Sequence, residues 1–169
     1  MEILKLATEW ARDEIFSTRF FILFALMFLV ASLGFWQLGK TDLAKAFIIP
    51  TLVAGVLIMI VGVGLYFTNK SRLNNFEKDY QAAAAAFVQA ELTRADNTIG
   101  QFENVFKIIP AIIAVAALLM IFVDKPLWRA ICMTTIAMMI IILLVDANST
   151  ARMEDYKQEL ELAEKQLRE

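Results

Sequence analysis

Two carboxylate pairs, Glu77 with Asp79 and Glu159 with Glu161, come closest to a reactive constellation in this sequence. Paired carboxylates can share a proton or hold a hard cation, provided that they converge on one point. Each pair has an i, i+2 spacing in sequence that reads as helix, which turns its members to different faces. Solvated surface is therefore their expected role. The remaining catalytic repertoire is thin. The chain has no histidine, which removes imidazole acid–base catalysis, bis-histidine haem ligation and the usual zinc and copper sites. Its one cysteine, Cys132, lies in an apolar run and has no CxxC partner for thiol–disulfide exchange. No phosphate-cradling glycine loop, GxSxG elbow or HExxH motif occurs. The expectation is a protein that is not an enzyme and holds neither cofactor nor metal.

The elements that carry these residues are apolar and long. The hydrophobic fraction is 59% and the mean hydropathy +0.61, against about 45–50% apolar residues in soluble domains. Four runs, Phe20–Leu38, Ala46–Thr68, Ile108–Val123 and Leu127–Val145, approach or reach the roughly 17–25 residues that a helix needs to cross a bilayer. The third begins nearer Asn104 if Lys107 snorkels its amine to the interface. The first has a long apolar part behind a flank of mixed charge (Glu2, Lys5, Glu9, Arg12, Asp13, Glu14), so it reads as a retained span rather than a cleaved leader. Within the first three runs, and between Ala130 and Val145, there is no Asp, Glu, Lys or Arg. Proton relays, carriers of charged substrates and voltage sensors depend on such groups. A formal charge of −2 gives no reason to expect nucleic acid.

Charge asymmetry orients the spans. Twelve Lys and Arg fall on the side of the two termini and the central segment, against four (Lys40, Lys45, Lys125, Arg129) in the two tight turns. By the positive-inside rule the termini are cytoplasmic and the protein is integral to a plasma or inner membrane. Phe35, Trp36 and Trp128 mark the outer interface, and Phe16, Tyr66, Phe67, Phe102 and Phe106 the inner one.

An internal repeat ties these pieces together. Residues 43–61 lie over 127–145 at an offset of 84, with Leu43/Leu127, Ala46/Ala130, Thr51/Thr135 and Val61/Val145 identical. Residues 71–83 lie over 151–163 at an offset of 80, pairing Arg72 with Arg152 and Phe76 with Tyr156. Both copies enter and leave the membrane in the same sense, as parallel repeats do. The expected fold is an all-α integral membrane protein of four transmembrane helices in two parallel hairpin repeats. The second and fourth helices extend into the cytoplasm as amphipathic, coiled-coil-like helices. The parts are an amphipathic amino-terminal helix at 1–19, hairpins at 20–68 and 104–145, a helical segment at 69–103 and a carboxy-terminal helix at 146–169.

Two heptad stripes follow the second and fourth spans: Leu73, Phe76, Tyr80, Ala83, Phe87 and Ala90, then Met153, Tyr156, Leu160, Ala163 and Leu167. Because the alanine run 82–86 has the highest helix propensity available, the second helix is expected to continue unbroken to about Ala95, with residues 96–100 as the turn back. Each stripe needs cover, from the other stripe, from the amino-terminal helix (Ile3, Leu6, Trp10), from a second copy or from a different protein. Within the spans, Thr51, Gly55 and Gly62, with Ala111 and Ala114 in the third, form a candidate packing face of small residues. Pro50 and Pro110 are candidate kinks. The expected function is that of a non-enzymatic membrane protein acting by protein–protein interaction or assembly: an accessory, regulatory or toxin-immunity type subunit. Its partners are the lipid bilayer and either itself or another protein. The alternative is a self-assembled pore or ion channel with a cytoplasmic coiled-coil gate.

Overall fold

The structure, a computed structural model, describes residues 2–168, and their side chains as far as Lys165. Leu167, the last residue of the second stripe, lies outside the described side chains. The described chain is all-helical: α1 Glu2–Leu38, α2 Asp42–Ala46, α3 Ile48–Ala82, α4 Ala84–Phe122 and α5 Pro126–Arg168. Four of these carry a segment long and apolar enough to cross a membrane. A helix of such length reaches about 50–65 Å, so each is longer than the roughly 30 Å thickness of a bilayer's hydrocarbon and carries a more polar arm.

Local chemistry explains most boundaries. After α1, Thr41 caps α2 by accepting a hydrogen bond from the Ala44 amide at 3.1 Å. Pro50 falls in the first turn of α3, where backbone N–H groups have no intrahelical partner and its ring costs nothing. Pro126 opens α5 for the same reason. Pro110 lies inside α4 and removes one backbone hydrogen bond there.

Antiparallel packing sets the register of the long helices. Along α1 and α3, the Ser32 hydroxyl donates to the Ile48 carbonyl at 2.7 Å, Gly55 faces Ala25 and Leu29, and Gly62 faces Phe21 and Ile22. Between α4 and α5, Tyr156 meets Glu91, and Lys157 meets Asp96 at 2.7 Å. Trp10 on Tyr156 and Glu14 on Arg152 join α1 to α5. The helices thus follow the order α3, α1, α5, α4 around the bundle. The α3/α4 edge is the least closed, with contact concentrated where the two helices join.

That join corrects one expectation. The second long helix does not run to Ala95. It breaks at Ala83, whose φ of −162° and ψ of 93° are extended, and the expected turn at 96–100 is helical within α4. Packing overrides propensity here. The corner brings Phe87 edge-on to Phe76 and Tyr80, with centroids 5.5 and 5.7 Å apart, and buries Val88 behind it. Residues 96–100 are held as helix by their neighbours: Asp96 pairs with Lys157, and the Thr98 hydroxyl donates to the Arg94 carbonyl at 2.8 Å.

Two cores result. One, at the polar end, draws on α1 (Ala7, Trp10), α3 (Phe76), α4 (Phe87, Val88) and α5 (Met153, Leu160). The other lies among the apolar segments around Phe21, Ala25, Ile58 and Val145. Among the described residues, every large apolar side chain that is exposed lies at positions 16–67 or 108–144, except Leu162.

Candidate functional site

The expected interaction stripes turn largely inward. Phe76, Phe87, Met153, Tyr156 and Leu160 are buried, and Leu73, Tyr80 and Ala163 are partly buried. The first stripe is folded at Ala83, so its two halves face each other rather than a common partner. Ala83 and Ala90 are exposed. The cover comes from within the chain: the amino-terminal arm of α1 supplies Ala7, Trp10 and Ala11, with Ile3 and Leu6 packed against them.

At the centre of this core sits a polar group that the hydrophobic spacing did not signal. Glu91 accepts from the Tyr156 hydroxyl at 2.8 Å and from Arg94 Nε at 3.1 Å, and Arg94 Nη2 also pairs with it closely. The Arg94 guanidinium lies 4.1 Å from the Trp10 ring centroid, and Trp10 stacks on Tyr156. Burial pushes the Tyr156 phenol well above its ordinary pKa, helped by the negative charge and hydrogen bond of Glu91, so it stays a neutral donor. The sequence signal was the i, i+3 spacing of Glu91 and Arg94, which lie on the same α4 face as Phe87, Val88 and Ala95.

A second polar group lies nearer the apolar segments. Arg152 Nη2 donates to Glu14 Oε1 at 2.8 Å and to the Ser149 hydroxyl at 3.1 Å. Arg72 donates to the buried Asn69 at 3.2 Å. Burial and the nearby charge of Arg94 lower the Arg72 pKa, opposed by Glu91 and Glu14. The Glu14 contacts join α1 to α5, whereas Arg72 and Asn69 pair within α3. The carboxylate pairs, by contrast, are exposed: Glu77 accepts from Gln81 at 3.3 Å, and Glu161 lies 3.6 Å from Lys157. Among the described residues, no three His, Cys, Asp or Glu side chains gather as a metal site.

Within the apolar segments the small-residue face divides. Thr51, Gly55 and Gly62 are buried against α1, whereas Ala111 and Ala114 of α4 are exposed. The apolar segment of α4 is 11% buried, against 22–28% for the other three. Along α3 and α5 lies a cleft formed by two cavities of about 430 Å³ each. The first, between α3 and α5, is lined by Pro50, Val53 and Thr134; the second, reaching α4, by Val61, Gln101, Phe102 and Asp146. Leu57 and Met138 line both. Thr134 is 5% exposed and its hydroxyl has no hydrogen-bond partner among the described residues. Burial, and then the charge of Glu14, raise the Asp146 carboxyl to a pKa of about 6.

Comparison of the chain with family models, with curated proteins and with solved structures finds no match.

Proposed function

We propose that the protein is integral to a plasma or inner membrane, with both termini and the Ala83 corner in the cytoplasm. It works without catalysis, by binding another protein or a second copy of itself through the uncovered face of α4. The two hairpins, α1 with α3 and α4 with α5, are the parallel repeats of this reading. Its single strongest support is the uneven cover of the apolar segments, 11% for α4 against 22–28% for the rest. Helix association in lipid is driven by close backbone approach rather than by hydrophobicity, and Ala111 and Ala114 leave room for it on the exposed side. The amphipathic stripes support a narrower view of the interface, because the chain uses them for its own core.

Cross-linking in native membranes tests this. With buried Cys132 replaced by serine, a cysteine at Ala111 or Ala114 is expected to give a discrete cross-linked species, either a dimer or a complex of defined mass. A cysteine at Leu23, exposed on α1, is expected to give none. Equal, diffuse labelling at all three positions overturns the reading.

A further inference from the structure

We propose that the cavity between α3, α4 and α5 holds one tail of an inner-leaflet aminophospholipid, with its ammonium group on Asp146 and Gln101. This inference rests on the membrane reading above. The lining of that cavity is apolar from Leu57 and Met138 at one end to Leu65 and Ile142, and becomes polar only at Gln101 and Asp146. Eight helical residues separate Met138 from Asp146, about 12 Å, close to the roughly 15 Å depth of one leaflet's hydrocarbon. The polar end thus sits where a lipid head begins, and the apolar end near the bilayer midplane.

A slender chain suits this shape. At about 430 Å³ the inner cavity has room for a run of methylene groups, since one water-sized group needs only about 10–15 Å³ of such space. The outer cavity, with Val53, Ile131 and the Thr134 hydroxyl in its wall, continues the apolar lining beyond Leu57 and Met138.

Charge selects the head. Asp146 forms no side-chain ion pair among the described residues, and the charged group that acts on it is Glu14, a like charge held by Arg152. Arg72 engages Asn69 and senses Glu91, Arg94 and Glu14 rather than Asp146. A cationic donor therefore complements this end, whereas an anionic head opposes it. The ammonium of phosphatidylethanolamine brings both charge and N–H donors; the quaternary head of phosphatidylcholine brings charge without donors.

The test is lipid retention by the intact chain in native mass spectrometry, after purification in mild detergent with added phosphatidylethanolamine, phosphatidylcholine or phosphatidylglycerol. The expected result is about fivefold greater retention of phosphatidylethanolamine. Asp146→Asn is expected to abolish that preference, and Leu57→Trp, which fills the cavity, to reduce retention of every lipid. Equal retention of the three lipids, a preference for phosphatidylglycerol, or a preference that survives both substitutions overturns the proposal. Carbonate extraction of membranes is the separate readout for insertion. A chain that resists extraction but shows no preference overturns the lipid site alone; a chain released by carbonate overturns the membrane reading first.

Discussion

Trp10 and Tyr156 lie face to face across the polar end of the bundle, with ring centroids 5.2 Å apart and planes 19° from parallel. The stack joins α1 to α5, and through the Tyr156 hydroxyl and the Arg94 guanidinium it reaches α4 as well. An aromatic pair of this kind adds about 0.5–1.5 kcal/mol to the burial of its surfaces.

Trp10→Ala is expected to cost about 3–5 kcal/mol, the usual range for removing a buried large aromatic, and to expose the arm of α1 to protease. Tyr156→Phe keeps the stack but withdraws one donor from Glu91, at about 1–2 kcal/mol. Thermal unfolding in detergent, with limited proteolysis, reads both. Equal losses for the two variants contradict a stack-dominated joint.

Glu91 and Arg94 are expected to behave as one unit. Glu91→Ala leaves a mostly buried guanidinium without its carboxylate, at about 3–5 kcal/mol, and Arg94→Ala strands the carboxylate similarly. The double alanine substitution is expected to cost less than the two single losses combined, with a coupling of about 1–3 kcal/mol. Strict additivity in that cycle removes the claim of a shared buried pair.

The glycines are expected to rank by what a methyl group would meet. At Gly62 a Cβ falls 2.9 Å from Phe21 Cβ and 3.3 Å from the Ile22 amide nitrogen, atoms that cannot move alone. At Gly55 the closest atoms are 2.9 Å away in the Leu29 side chain, with the Ala25 carbonyl oxygen at 3.1 Å. Gly62→Ala should cost about 2–3 kcal/mol and Gly55→Ala about 1–2 kcal/mol. Gly64→Ala and Gly100→Ala, in open space, should gain about 0.5–1 kcal/mol. Melting temperatures of the four variants give the order directly.

Asp146, one residue beyond the fourth apolar run, gives the pH dependence. Its carboxyl is raised from 3.8 to about 6, so folding favours the protonated form. Stability from this group is present below about pH 4 and is lost as pH rises through 6. Asp146→Asn is expected to raise the melting temperature at pH 7.5, and the gain to vanish at pH 4. A constant gain across that range assigns the effect to something other than titration.

The four long apolar helices were legible because a membrane-crossing segment demands a long unbroken apolar run, and Phe20–Leu38 or Leu127–Val145 satisfy that demand locally. The stripe was legible too, since Phe76, Met153, Tyr156 and Leu160 repeat at helical spacing, but spacing did not say that the chain's own arm would cover it. The corner at Ala83 was not. Every residue from 82 to 86 prefers helix, and what breaks it is the burial of Phe87 and Val88 against elements distant in sequence. The same holds for Glu91 and Arg94, which by spacing resemble any exposed i, i+3 pair. Only Trp10 and Tyr156, arriving from opposite ends of the chain, turn that pair into an interior.

The polar core takes side chains from every long helix, Ala7 near the start and Leu160 near the finish among them. A ribosome delivers these in order, so the first arm of α1 waits with Trp10 uncovered until the last turns of α5 have been made. Each hairpin can find its own partner early, whereas the lock between them closes last. Truncation before Tyr156 should therefore yield a chain whose apolar helices are intact and whose amino-terminal arm stays open, a product that quality-control proteases can recognise.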